Sequence, residues 1–486
     1  MTDARAHLSA TTRRGLLAGT GVVAGVAAVG AAPAAARASG GGGEVASDDW
    51  PRGPGDRIRP QRANAELRGI IDGIDPRRIE ATIRKLVSFG TRHTLSTQTD
   101  PARGIGAARD WIKSEMDSYA ATSGGRMTVE LQSFVVPAGS VRIPTDTVLT
   151  NVVATLKGDV EPNRTYVVTG HYDSRITDIL NFTDAAPGAD DDASGVAVTM
   201  ELARVMATHH SRATIIFAPV AGEEQNLYGS TYLANQLKAA AVDVQGMFTN
   251  DIVGSSRADD GSRDRTSVRL FAQGPPPSED ATRHALRLTL GGENDSPARD
   301  LARFVTEVAG PTTTGMDIRV IYRLDRYLRG GDHTGFLAAG FPAARFTEPA
   351  ENFAHQHQDV RVEDGVQFGD LPEFCDFDYI AGVARVNAAS LWSLAQASGM
   401  PTNVLIDASV LTNDTVLRWT APAGVSGLAG YEVVWRPTIN PFWTHVVDVG
   451  NVTTATIDLS KDNVVFGVRS VSADGFRSPA VFPFRA

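Results

Sequence analysis

A strand and a polar cluster meet in the stretch Thr165-Tyr166-Val167-Val168-Thr169-Gly170-His171-Tyr172-Asp173-Ser174. The β-branched and aromatic run predicts a buried strand, and the polar residues after it predict a site at the end of that strand. Helical spacing over residues 195–207 and another apolar run over residues 214–219 come next. This alternation of short apolar runs with helical periodicity indicates an α/β sheet that is covered by helices on both faces.

The same alternation continues to a long helical segment over residues 377–397, which ends before Gly399-Met400-Pro401. Glycine terminates helices and proline cannot continue them, so a domain boundary is expected here. We therefore predict one α/β domain over residues 63–399, with a mixed, mostly parallel central sheet. The length of 486 residues also favours two domains over one.

After Pro401 the pattern changes to short alternating strands without helical periodicity. Several such strands within about 80 residues predict a small all-β sandwich over residues 402–486. The short motifs Leu417-Arg418-Trp419 and Gly430-Tyr431-Glu432-Val433 resemble those of a fibronectin type III module.

The N-terminal residues 1–38 predict a signal peptide. A twin-arginine pattern, Thr12-Arg13-Arg14-Gly15-Leu16-Leu17, precedes an apolar run, and an A-x-A cleavage site ends at Ala38. The run is rich in Gly and Ala and would span a bilayer poorly, so we predict cleavage and no stable membrane insertion. We expect export by the twin-arginine route to the periplasm or the medium. Residues 39–62, which begin with Gly, Ser and Asp, predict a flexible leader.

Composition excludes some classes of protein. The net charge of −10 argues against a nucleic-acid-binding protein, which normally has a basic excess. The single cysteine, Cys375, cannot form an intrachain disulfide, and its place at the start of a helix favours a packing role over a catalytic one.

Polar clusters follow apolar strands, which is where open α/β sheets place their sites. The clusters comprise His171 and Asp173; the run Gly188-Ala189-Asp190-Asp191-Asp192-Ala193-Ser194-Gly195; the pair Glu223 and Glu224; and the more distant Asp251 and His355.

Each cluster has a structural alternative. His171 could be a structural histidine held by Asp173, or a metal ligand whose second ring nitrogen donates to that aspartate. The three aspartates could complement a helix dipole or bind calcium, although their spacing lacks the alternating ligands of a calcium loop. Glu223 and Glu224 could form an exposed acidic turn. If they are buried, a metal would offset the charge of one and leave the other as a base.

Together the clusters offer two histidines and three carboxylates: His171, Asp191, Glu224, Asp251 and His355. Nitrogen and carboxylate ligands without thiolate favour zinc, ahead of cobalt or manganese. Five such side chains can hold two metals about 3.5–4 Å apart if one carboxylate bridges them.

In this order, and with Tyr228-Gly229-Ser230 after the glutamates, the clusters resemble the secreted bacterial two-zinc aminopeptidases of peptidase family 28. The resemblance runs over residues 64–398. It implies that Asp191 bridges two zinc ions and that the peptide bond between Asp191 and Asp192 is cis.

The resemblance also implies roles for the other residues. His171 and Asp251 would complete one metal site, Glu224 and His355 the other, and Glu223 would be the catalytic base. His355 is favoured over the nearby His357 because the family pattern requires an aspartate four residues later, and Asp359 stands there.

The expected activity is hydrolysis of the N-terminal bond of peptides with a free N-terminus, through water activated by two Zn²⁺ ions. Two alternatives stay open. A glutaminyl cyclase-like acyl transferase shares the fold but usually holds one zinc, and a non-catalytic peptide-binding protein could use the same scaffold. The sandwich could bind peptide or surface polymer, or only pack on the larger domain.

Overall fold

The computed structural model describes residues 50–422, 424 and 426–486. The predicted signal peptide and residues 39–49 of the predicted leader lie outside the described residues. The strands are β1 (Asp56–Arg57), β2 (Met127–Val136), β3 (Thr147–Leu156), β4 (Glu161–His171), β5 (Ala213–Val220), β6 (Asp243–Asn250), β7 (Ser267–Ala272), β8 (Asp317–Ile321), β9 (Ala343–Thr347), β10 (Arg361–Glu363), β11 (Val366–Phe368), β12 (Thr402–Asp407), β13 (Thr415–Thr420), β14 (Leu428–Pro437), β15 (His445–Gly450), β16 (Thr454–Ile457), β17 (Val464–Ser472) and β18 (Phe484–Arg485).

Helices lie between these strands. They are α1 (Ala65–Asp72), α2 (Pro76–Val87), α3 (Gly104–Ala120), α4 (Ala193–Met206), α5 (Tyr228–Ala239), α6 (Ala281–Thr289), α7 (Pro297–Ala309), α8 (Pro311–Thr314), α9 (His333–Ala339) and α10 (Phe377–Gln396). The Asp75 side chain caps α2 by accepting a hydrogen bond from the Arg77 N–H, with Pro76 in the first turn. No helix in the described part of the chain is long and apolar enough to cross a membrane.

An eight-stranded sheet forms the centre of the α/β region, in the order β2-β3-β5-β4-β6-β9-β7-β8. Strands β5, β4, β6 and β9 are parallel to one another, whereas the β2–β3, β3–β5 and β7–β9 pairings are antiparallel. Four adjacent parallel strands therefore end at one edge of the sheet, which brings the residues that follow them together.

Both faces of this sheet are buried. Along β4, Tyr166 and Val168 belong to a core that includes side chains of α2, α3, α4 and α10. Val167, which lies between them, belongs to a second core with Leu233 of α5 and Phe336 of α9. Because side chains alternate along a strand, this division confirms the predicted α/β fold with helices on both faces.

The C-terminal region contains two four-stranded sheets, β1-β15-β14-β17 and β16-β13-β12-β18. Both sheets contribute side chains to one hydrophobic core, including Leu417 and Trp419 from one and Val433, Trp435 and Val468 from the other. The all-β character predicted for residues 402–486 is therefore observed.

The N-terminal segment before α1 differs from the predicted flexible leader. Asp56 and Arg57 pair with the edge strand β15, and the Trp435 indole N–H donates to the Pro54 carbonyl at 2.8 Å. The Gln61 N–H donates to the Glu307 carbonyl at 2.9 Å. An edge strand leaves backbone groups unpaired, and this segment satisfies some of them.

Buried ion pairs join the C-terminal sheets to α7. The carboxylate of Asp295, which is fully buried, lies 2.7 Å from Arg436 on β14 and 3.0 Å from Arg303 on α7. Nearby, Arg469 on β17 contacts Glu307 on α7 at 2.7 Å. These charges are shielded from water, so the geometry that pairs them must be fixed.

We expect Asp295→Asn to lower the free energy of unfolding by about 3–5 kcal/mol, because it leaves the buried Arg436 without its carboxylate partner and Arg303 with Asp300 alone. Denaturant unfolding measures the change. Asp407→Asn is the matched control, because Asp407 pairs with Arg418, whose side chain is 60% exposed. This control should cost about 0–1 kcal/mol. Equal losses in the two variants would contradict the buried-pair interpretation.

Candidate metal centre

The candidate site lies at the carboxyl edge of the four parallel strands. His171 is the last residue of β4, and Asp251 directly follows β6. Glu223 and Glu224 follow β5 after Gly222, which has a φ of +77°; a Cβ there would lie 2.1 Å from the Leu149 side chain. This left-handed backbone favours glycine, and the turn that it makes places Glu223 and Glu224 directly after the strand.

Asp191 lies in the loop before α4, and the peptide bond between Asp191 and Asp192 is cis, as the family resemblance implies. Its carboxylate faces two histidines. His171 Nε2 is 3.1 Å from Asp191 Oδ1, and His357 Nε2 is 2.8 Å from Asp191 Oδ2.

Two groups of three side chains have the arrangement of a metal site, and both contain Asp191. One consists of His171, Asp191 and Asp251, and the other of Asp191, Glu224 and His357. Within each group the ligand atoms lie within 4.8 Å of one another. A single aspartate shared by two ligand groups is one arrangement in which a carboxylate can contact two neighbouring cations.

Unpaired atoms support a cation at this site. His171 Nε2, His357 Nε2 and Glu224 Oε1 are buried and have no hydrogen-bond partner among the described residues. Yet His357 Nε2 lies only 2.8 Å from Glu224 Oε1. Buried polar atoms without partners are costly. The nitrogen and carboxylate donors therefore fit zinc, which would satisfy them all.

The electrostatic surroundings also favour positive charge. Burial lowers the pKa of the His171 ring, but the neighbouring Asp173 and Asp191 outweigh this and raise that pKa well above its ordinary value. Removal from water raises the pKa of the Glu223 carboxyl well above its ordinary value.

Other aspartates hold the backbone of the site. Asp173 accepts hydrogen bonds from the N–H groups of Glu223 and Glu224 at 3.3 and 3.1 Å. Asp370 accepts from the N–H groups of Asp190 and Asp191 at 2.7 and 2.8 Å. These bonds fix the loops that present the ligands.

Asp173 also contacts His171, but with a different atom from the one expected. The His171 Nδ1 lies 3.2 Å from the Asp173 backbone carbonyl and 3.6 Å from its carboxylate. The carbonyl is therefore the hydrogen-bonding partner, because the carboxylate is engaged by the two glutamate N–H groups.

Glu223 lines a cavity of about 220 Å³ together with Asp191, Glu224, Asp251 and His357. Its carboxylate has no hydrogen-bond or ion-pair partner among the described residues. Glu223 is thus the unengaged acid of the site, whereas Glu224 is bound to Arg175 at 2.7 Å.

The structure differs from the sequence prediction at His355, which it does not bring to this cluster. Phe353–His355 form a short 3₁₀ turn, and the His355 ring stacks on Phe374 with centroids 3.5 Å apart. His357 takes the expected place because its left-handed backbone, with a φ of +53°, turns the chain towards the site. Asp359, which favoured His355 in the sequence pattern, is exposed.

The sequence analysis missed several residues of the site. Arg345 on β9 is buried and contacts Asp251 and Asp325 at 2.7 Å each, and Arg175 contacts Glu224. Asp370 precedes α10 in a segment without a recognisable motif. Position after a strand could have indicated Arg175, which lies four residues beyond His171, but Arg345 lies inside an apolar strand.

Known proteins have amino-acid sequences similar to this one. Residues 151–363 match the model of peptidase family M28. A "Probable zinc metalloprotease" of Pyrenophora teres f. teres is 58% identical over 446 residues, which cover 91% of this chain and 92% of that protein. The chain belongs to peptidase family M28. The predicted zinc-dependent hydrolase of peptide bonds is thereby confirmed; this relative is fungal, whereas the sequence motifs resemble bacterial enzymes.

Solved structures with a similar fold are more distant from this M28 peptidase. The Legionella pneumophila LapA aminopeptidase is 19% identical, with a TM-score of 0.49, and the match covers 70% of this chain and 77% of that one. The Fimbriiglobus ruber glutaminyl cyclase is 20% identical, with a TM-score of 0.48, and the match covers 68% and 97%. These similarities concern the fold alone.

We expect His357→Ala to lower the zinc content of the purified protein, because it removes a ligand from one of the two groups. His355→Ala is the matched control and should retain the wild-type content, because that ring packs on Phe374. Elemental analysis after dialysis measures both. Zinc loss in His355→Ala with retention in His357→Ala would restore the sequence-based choice of ligand.

Proposed function

We propose that this M28 peptidase is a two-zinc aminopeptidase. The observation that carries the proposal is the shared Asp191, which belongs to both ligand groups. His171, Asp191 and Asp251 would hold one ion, and Asp191, Glu224 and His357 the other. When bound, the ions polarise the scissile carbonyl and lower the pKa of water to about 7.

Glu223 is the residue we propose as general base. It lines the cavity beside both ligand groups, and its carboxylate is not engaged by another described residue. It would accept the proton of the attacking water and transfer it to the leaving amine. Asp173, bound to the N–H groups of Glu223 and Glu224, would keep the base and the adjacent ligand in a fixed relation.

We propose that the enzyme is an exopeptidase because an acidic group or a metal at the site would hold the free α-amine of the substrate. The bond next to that amine would then be the one that is cleaved. The cavity supports this because it is small, about 220 Å³, and has four carboxylates in its lining: Asp191, Glu223, Glu224 and Asp251. A peptide with a free N-terminus is therefore the proposed substrate.

We expect Glu223→Gln to lower kcat for aminoacyl-p-nitroanilides by about 10²–10⁴-fold, because proton transfer is lost. Its zinc content should stay at the wild-type value, and a chelator should abolish wild-type turnover. Glu363→Gln, in the exposed β10, is the control for removal of a carboxylate. Unchanged turnover in Glu223→Gln, or after chelation with proven zinc removal, would refute the mechanism.

The same purified protein can be used to distinguish the aminopeptidase from a glutaminyl cyclase and from a non-catalytic peptide-binding protein. A glutaminyl cyclase would release ammonia from a peptide with N-terminal glutamine and would hold one zinc per chain. A non-catalytic protein would bind peptides without turnover. Two zinc ions per chain together with p-nitroaniline release support the aminopeptidase.

We also propose that the C-terminal sheets form a fibronectin type III-like module. The short motifs around Trp419 and Tyr431 support this, because both side chains lie in the core between the two sheets. The buried ion pairs to α7 favour a packing role for this module over independent peptide binding.

Export is a further part of the proposed function, and it rests on the twin-arginine pattern of residues 12–17. We expect the double substitution Arg13→Lys, Arg14→Lys to retain the protein inside bacterial cells that have the twin-arginine machinery. Wild-type protein should appear outside the cytoplasm with Ser39 as its first residue. Fractionation and N-terminal sequencing measure this, and equal export of both forms would contradict the route.

A further inference from the structure

Several arginines line the cavity at the metal centre. Five line it: Arg142, Arg175, Arg326, Arg329 and Arg345. Three of them have carboxylate partners, since Arg345 contacts Asp251 and Asp325, Arg175 contacts Glu224, and Arg326 contacts Glu351 at 2.5 Å.

The other two arginines lack such partners. Arg142, between β2 and β3, donates to the Glu224 backbone carbonyl at 2.5 Å. Arg329, between β8 and α9, lies 3.1 Å from the His357 Nδ1. Neither guanidinium has a carboxylate within 4.0 Å among the residues that the structure describes. Both side chains are half-buried, so their charge is partly removed from water without an anion in its place.

One alternative is that these two arginines only offset the acids of the site. Four carboxylates line the cavity, those of Asp191, Glu223, Glu224 and Asp251. Two divalent cations would carry enough charge to balance all four. With metals bound, Arg142 and Arg329 would therefore remain as positive charge in the lining of the cavity.

We propose that Arg142 and Arg329 bind a carboxylate of the peptide substrate, and this inference rests on the proposed peptidase function. Guanidinium groups bind carboxylates through paired, charge-assisted hydrogen bonds, which suits a site with two such groups. The carboxylate belongs either to the C-terminus of a dipeptide or to an acidic side chain next to the cleaved bond.

Three matched substrates distinguish these sources: Leu-Ala amide without a carboxylate, Leu-Ala with a free C-terminus, and Leu-Asp amide with an acidic side chain. Wild-type enzyme should give a kcat/KM about tenfold higher for at least one carboxylate-bearing peptide than for Leu-Ala amide, as one charge-assisted interaction would provide. An advantage for Leu-Ala identifies the C-terminus, and an advantage for Leu-Asp amide identifies the side chain.

Arg142→Gln and Arg329→Gln should each lower this ratio of kcat/KM values about tenfold, mainly through KM, with the zinc content measured in every variant. Arg68→Gln, an exposed position on α1, is the control for loss of a positive charge and should keep the ratio. A ratio near one in the wild type, or an unchanged ratio in both cavity variants, would overturn the proposal.

Failure of the proposed function gives a different result, because the wild type would then cleave none of the three peptides. In that case, calorimetric titration of the same peptides into zinc-loaded protein measures their affinities and tests whether the two arginines bind a carboxylate. Tighter binding of Leu-Ala or Leu-Asp amide than of Leu-Ala amide, lost in Arg142→Gln and Arg329→Gln, supports it. Equal binding of all three overturns it.

Discussion

Repulsion between buried carboxylates is the constraint to which the rest of the site responds. Four parallel strands end at one edge of the sheet and bring Asp191, Glu224 and Asp251 into a space where water does not screen them. Like charges there repel strongly, and each needs a compensating cation. Arg175 and Arg345 supply part of this charge, and the unpaired histidine nitrogens between the carboxylates identify where metal ions would supply the remainder.

Hydrogen bonds from the backbone separate the acids into two functional sets. Asp173, Asp192 and Asp370 each accept backbone N–H groups, so their charge is stabilised by the loops that they hold in place. Acids without such donors, Asp191 and Glu223, face the cavity instead. The same residue type thus anchors the scaffold at some positions and remains available for chemistry at others. A scaffold fixed in this way keeps its ligands in place before substrate binds, which is the condition for electrostatic catalysis.

The sequence predicted the parts of the site that depend on local order along the chain. Strand ends located His171, Glu224 and Asp251, because parallel strands bring the residues after them together, and the start of a helix located Asp191. The prediction failed where the backbone conformation of a few residues determines which side chain reaches the site. His355 and His357 are the same residue type two positions apart. Only the backbone conformation, a 3₁₀ turn ending at His355 and a left-handed residue at His357, distinguishes them. Partners from distant segments, such as Arg345 and Asp370, depend on tertiary packing that no local pattern records. The pairing of Asp56 and Arg57 with β15 was missed for the same reason, since it joins segments that are far apart in the sequence.

The attachment of the C-terminal sheets bears on the metal centre through α7. This helix packs against β7, β8 and β9, and β9 carries Arg345, which holds the carboxylate of Asp251. On its other side α7 is fixed by the pairs that Asp295 and Glu307 form with arginines of the C-terminal sheets. Buried ion pairs contribute little to adhesion because desolvation opposes them, but they tolerate few alternative geometries. A module attached in this way restrains the helix beneath it. The C-terminal sheets are therefore linked through α7 to the strand that carries Arg345.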